Sequence, residues 1–128
     1  MSKGSAFLFT ILAFFMLVLA ACQTRVDDSE LLEQGEEIYI VSCSRCHQLD
    51  GGGVEATYPP LDGNPFVTVR EPHHVVDVIA HGRGGMPAFR GQLDDDEIAA
   101  VVSYIRNAWG NQASIVEPRQ VTTGDMGE

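Results

Sequence analysis

Apolar positions are distributed along this chain in two ways. From Ala6 to Ala21 they form a nearly unbroken run, interrupted only by Thr10. Sixteen residues at about 1.5 Å each fall short of a hydrocarbon core of about 30 Å. With Lys3 before it and small residues at its end, the run predicts a secretory signal peptide over residues 1–21. Beyond it the apolar positions recur at helical spacing. Leu31, Leu32, Gly35, Ile38, Tyr39 and Ser42 share one face of a helix predicted over residues 28–42, with Asp27 and Asp28 suited to its N-terminus. A second helix is predicted over residues 72–81, with Pro72 at its first position and Gly82 as its stop. A third opens at Asp94-Asp95-Asp96-Glu97, where Asp94 and Glu97 have the spacing of a capping box. Its buried face is Ile98, Val101, Val102, Ile105, Ala108 and Trp109, and Gly110 is expected to end it. The three aspartates fit the positive end of a helix dipole better than a metal site. Gly51-Gly52-Gly53 and Pro59-Pro60 mark loops, and no strand pattern is strong. The expectation is an all-α domain over residues 29–111. A polar tail, 112–128, follows it, and the sequence leaves two readings of it open: packing back through Ile115 and Val116, or disorder.

At 128 residues the chain has room for one such domain. Its formal charge of −10 excludes a nucleic-acid binder, which needs clustered cations on one face. Three cysteines cannot form a purely internal disulfide framework. The first of them closes the sequence Leu19-Ala20-Ala21-Cys22, which resembles the bacterial lipobox. That resemblance implies lipidation of Cys22, a short tether over 22–28, and a location on the periplasmic side of a bacterial membrane. An uncleaved N-terminal membrane helix is the competing reading. Removal of residues 1–21 leaves seven arginines, no lysine and 18 acidic residues, a net charge of −11.

The other two cysteines lie in Cys43-Ser44-Arg45-Cys46-His47, the C-x-x-C-H spacing of covalent c-type haem attachment. Two thiols on one short turn can reach the two vinyl groups of one porphyrin, and the adjacent His47 can bind the iron. A thioredoxin-like dithiol needs a preceding strand, which is missing. A zinc site needs a second pair of ligands, and no further cysteine pair follows.

For the opposite face of the iron, Met86 is the leading candidate, in Gly82-Arg83-Gly84-Gly85-Met86-Pro87. Glycines there permit close backbone approach, and Pro87 stiffens the segment. His81 is its competitor, with an open sixth position as a third case. His73 and His74 at the start of a helix suit a solvated role, and Met126 lies in a polar tail. Methionine ligation implies a relatively high potential.

With these residues in place, the stretch from about Leu31 to Trp109 resembles a class I cytochrome c. The order matches: N-terminal helix, C-x-x-C-H, proline loop, short helix, Met loop in Gly85-Met86-Pro87-Ala88-Phe89, and C-terminal helix with Tyr104-Ile105-Arg106. The resemblance implies three to four helices wrapped around one covalent haem c held by Cys43 and Cys46, with His47 and Met86 as axial ligands. It implies that Pro59, with Pro60 as the alternative register, accepts a hydrogen bond from the axial histidine. It also implies close crossing of the terminal helices at Gly35, Tyr39 and Tyr104. Residues 59–65 and 107–111 are similar to cytochrome subunits of bacterial membrane-bound dehydrogenases, and to small cytochromes serving terminal oxidases or nitrite reductases. The implied function is one-electron transfer without substrate chemistry, by a free carrier or as a subunit of such a complex. A five-coordinate haem sensor or enzyme is the remaining alternative. Lysine-ringed relatives dock through cations. This chain is expected to meet basic redox partners, or to dock through an apolar haem edge.

Overall fold

In the computed structural model, residues 28–122 are described. The predicted signal peptide, Cys22 and Met126 lie outside them. The described chain opens in a helix, α1, that runs through residue 42. It is followed by α2 (Ser44–His47), α3 (Pro65–Thr68), α4 (Pro72–His81), α5 (Asp95–Asn107) and α6 (Pro118–Thr122). Extended backbone pairing among the described residues is confined to two isolated bridges, Val54 with Tyr58 and Arg83 with Met86. None of the described helices is long and apolar enough to cross a membrane.

The local signals act as their chemistry dictates. Asp94 accepts from the backbone N–H of Glu97, and the Glu97 carboxylate accepts from the backbone N–H of Asp94, each at 2.9 Å. This reciprocal box starts α5. The aspartate run is therefore part of a helix start, and no group of three or more potential metal ligands exists among the described residues. Pro72 opens α4, and Gly82, at φ 75°, closes it. A side chain at Gly82 would strike the backbone at Met86 and Pro87.

Helix α5 is the centre of the fold, with Ile98, Val101 and Val102 fully buried. Helix α1 crosses it at Gly35, where a Cβ atom would lie only 2.2 Å from Ala100 O. The crossing is closed by aromatic rings. Tyr39 packs tilted on Tyr104 at 5.5 Å and edge-on against Trp109 at 5.0 Å.

The structure departs from expectation at the end of α5, which stops at Asn107 rather than at Gly110. Ala108 is extended and Trp109 takes the left-handed region at φ 57°. The turn brings the indole back over α1, and its Nε1 donates to Leu49 O at 2.9 Å. Tertiary packing thus overrides the helical periodicity that includes Trp109.

Residues 112–122 pack back on α5. Val116 is fully buried, and its N–H donates to Ser103 Oγ at 2.8 Å. Val121 is buried beside it in the core, and Arg90 pairs with Asp95, which also accepts from the Thr122 hydroxyl at 2.7 Å. Two buried valines and a polar clip hold this segment down.

Candidate functional site

Tyr39 O accepts from Cys43 N at 2.9 Å, and Cys43 O accepts from both Cys46 N and His47 N. Cys43, Cys46 and His47 therefore lie on one helical turn, three and four residues apart, where side chains share a face. After His47 the chain turns sharply at Gln48, at φ 63° and ψ 161°. Such a conformation costs roughly 1–3 kcal/mol for a non-glycine residue. The Tyr39 hydroxyl holds it by donating to Gln48 O at 2.6 Å. This brace is invisible in the motif, because Tyr39 reads only as an apolar helical position.

His47 is buried, and its Nδ1 stands 3.0 Å from Pro59 O. A carbonyl only accepts, so Nδ1 carries the proton and Nε2 keeps its lone pair for a metal. Pro59, rather than Pro60, occupies this place. The loop that presents it is fixed by Asn111, a buried residue that sequence reasoning missed. Its side chain accepts from Gly63 N and donates to Leu61 O and Ile105 O, tying the loop to the end of α5.

Cys43, Cys46, His47 and Met86 line one cavity of about 440 Å³. Val67, Val75, Val78, Ile79, Phe89 and Ile105 supply much of its apolar wall. Both thiols are free. Burial, reinforced by the neighbouring Cys46, pushes the Cys43 thiol up to about 11, so it stays protonated at neutral pH. Met86 reaches the cavity because its N–H donates to Arg83 O and its carbonyl accepts from Arg83 N, a tight reciprocal turn.

The histidine competitors lie elsewhere. His81 is exposed and sits 3.9 Å from Asp77 one helical turn away. The rings of His73 and His74 lie tilted against each other with centroids 3.9 Å apart, and none of these three histidines lines the cavity. An apolar cavity carrying two thiols, an oriented imidazole and a thioether fits a porphyrin with its iron.

The chain matches the family described as "Cytochrome C oxidase, cbb3-type, subunit III" over residues 30–105. It belongs to the class I cytochromes c. The cytochrome is 30% identical over 121 residues to cytochrome c-552 of Thermus thermophilus, covering 83% of this chain and 75% of that protein. It is 29% identical over 109 residues to cytochrome c6 of Pyropia yezoensis, covering 82% and 93%. The alcohol dehydrogenase (quinone) cytochrome c subunit of Gluconacetobacter polyoxogenes is 40% identical over 103 residues. That match covers 72% of this chain, which spans only about one fifth (21%) of the subunit's length. The cytochrome has an electron-transfer role, is all-α in fold, and carries haem c covalently.

Proposed function

We propose that this cytochrome is a lipid-anchored carrier of single electrons on the periplasmic side of a bacterial membrane, exchanging them with a membrane-bound dehydrogenase or a terminal oxidase or reductase. The observation that carries the reading is the convergence of Cys43, Cys46, His47 and Met86 on one apolar cavity. When bound, the haem supplies the ferrous–ferric couple. Cys43 and Cys46 would hold the porphyrin through thioethers to its two vinyl groups. His47 would offer Nε2 to the iron, oriented through Nδ1 and Pro59 O. Met86 would offer its thioether sulfur to the iron, a ligation that would raise the potential. The apolar wall excludes water and favours the less charged ferrous state. Cys22 is the site of lipidation, and residues 22–28 are the tether.

A second reading makes the domain the electron outlet of a multi-subunit dehydrogenase, and the alcohol dehydrogenase (quinone) cytochrome c subunit favours it. Affinity isolation of the tagged full chain from solubilised membranes separates the two. A dehydrogenase recovered at fixed stoichiometry supports the subunit, and a monomeric haem protein supports the free carrier. The carrier reading as a whole fails if Cys43→Ala and Cys46→Ala leave two thioethers intact, or if Cys22→Ser leaves membrane attachment unchanged.

A further inference from the structure

We infer that the turn Trp109-Gly110-Asn111 after α5 is a clamp that keeps the carbonyl of Pro59 on Nδ1 of His47, with Trp109 as its positioning residue. The inference rests on the proposed ligation of iron by His47. Pro59 stands on a strap, residues 48–63, that leaves His47 and comes back over it. The strap holds no helix, and its only backbone pairing is the bridge between Val54 and Tyr58. It is exposed along most of its length. Its two limbs meet at Gly51, whose carbonyl accepts from Leu61 N at 2.7 Å and from Asp62 N at 3.2 Å. Gly53 lies against Pro59, and a Cβ there would stand 2.7 Å from Pro59 O. Exposed segments with few apolar contacts open at low cost. Holding an acceptor 3.0 Å from the His47 ring therefore requires anchors outside the strap.

The turn after α5 supplies an anchor for each limb. Trp109 Nε1 donates to Leu49 O at 2.9 Å on the outgoing limb. Asn111 donates to Leu61 O at 3.1 Å and accepts from Gly63 N at 2.9 Å on the returning one. The indole also covers the point where the limbs meet, because a Cβ at Gly51 would lie 2.6 Å from Trp109 Cε3. The turn itself is closed by Asn111 N donating to Ala108 O at 2.9 Å. Backbone strain marks the same device. Three non-glycine residues among the described ones have positive φ: Gln48 at 63°, Ala56 at 60° and Trp109 at 57°. The first two belong to the strap and the third to the clamp. A bulky side chain in this region is an outlier, and such a conformation persists only where surrounding contacts over-determine it. At Trp109 it carries the indole off the line of α5 and onto the strap. The bond from Nδ1–H to a carbonyl makes an imidazole a more basic ligand, and a more basic ligand favours ferric iron. Loosening the clamp weakens that bond and raises the potential.

The test is NMR of the intact reduced haem protein, with the midpoint potential measured alongside. Trp109→Phe keeps a ring over Gly51 and removes the Nε1 donor. It is expected to speed solvent exchange of the His47 Nδ1 proton about tenfold, the scale set by loss of one hydrogen bond. It is also expected to raise the reduction equilibrium constant roughly threefold, through the less basic ligand. Gly53→Ala, which displaces Pro59 O directly, is expected to move both readouts the same way. Val121→Ala, in the core but off the cavity wall, is expected to move neither. Covalent haem content and the near-infrared thioether–iron band report the cavity assignment separately, and both are expected to persist in all three variants. Absence of an iron-bound His47 from the unsubstituted protein would remove the ligation and the inference with it. A Trp109→Phe protein with unchanged exchange and potential overturns the clamp, whatever Gly53→Ala does. So does an equal response to Val121→Ala, which would make the effect one of global stability. A fall in potential overturns it as well, being the sign of water entering the cavity. Should Trp109→Phe fail to mature, the chain's single tryptophan allows biosynthetic replacement by its benzothiophene analogue, which keeps the ring shape and lacks the N–H. The same two readouts then decide.

Discussion

Met86 and His81 lie five residues apart in sequence, yet only Met86 lines the cavity. The difference is made by Gly82, which ends α4 with His81 still on its solvent side, and by the turn that follows. Replacement of the thioether therefore tests the axial assignment directly. Met86→Ala is expected to abolish the near-infrared band of the oxidised protein and to let the reduced protein bind carbon monoxide at neutral pH. Its potential should fall by on the order of 0.1 V or more, axial ligation commanding a range of about 0.8 V. A second residue-scale test concerns Arg106, buried on α5 at 3% exposure. Its guanidinium donates to Val67 O at 2.6 Å, to Arg70 O at 3.2 Å, and to Ser114 O and Ser114 Oγ, each at 3.2 Å. It joins three separate segments, one of which, at Val67, is cavity wall. Arg106→Ala leaves those carbonyls without their donor and is expected to destabilise the holoprotein by about 3 kcal/mol, measured by denaturant unfolding.

Among the elements, the α1–α5 crossing has the least tolerance. With a Cβ at Gly35 placed 2.2 Å from Ala100 O and 2.7 Å from Tyr104 Cβ, the helices must separate. Gly35→Ala is accordingly expected to destabilise the holoprotein by about 3 kcal/mol, at the upper end for overpacking, although alanine is the better helix former. Thermal unfolding followed at the Soret band checks this, and a stabilised variant would contradict the crossing. The three longer helices were legible because each combines a periodic apolar face with its own terminal chemistry, as Asp94 and Glu97 do for α5. The one-turn helices were not. α3 is four residues long and is started by the Asn64 side chain, and α6 is anchored mainly by Val121 and its clip to Asp95. Neither length supports a detectable period. The site residues were legible in the C-x-x-C-H spacing and in the Met loop. Their supports, Tyr39 beneath Gln48 and Asn111 behind the Pro59 loop, were not, because each reaches backbone carbonyls 9 and 50 residues away through polar atoms that no local pattern reveals.

At the scale of the whole molecule, charge and core make separate demands. A chain with eight basic and 18 acidic side chains attracts basic partners. Electron exchange with a basic redox protein is therefore expected to slow by tenfold or more between low and high salt, within the range of about 10–10³ that steering supplies. A rate that rises with salt would contradict this. The core makes the stronger demand, because Val67, Val75, Ile79, Phe89 and Ile105 belong both to the hydrophobic cluster and to the cavity wall. The cavity is thus a gap in the middle of the core. At about 24 cal/mol per Å³, 440 Å³ without apolar filling would cost on the order of 10 kcal/mol. A domain of this size has only about 5–15 kcal/mol of stability in total. The apoprotein is expected to lose cooperative folding, since the described residues leave that apolar volume unfilled. Its far-ultraviolet signal should melt without a sharp transition, while the holoprotein unfolds in a single step. Cooperative unfolding of an apoprotein lacking both Cys43 and Cys46 would show instead that the α1–α5 crossing and the Arg106 clamp suffice to hold the fold.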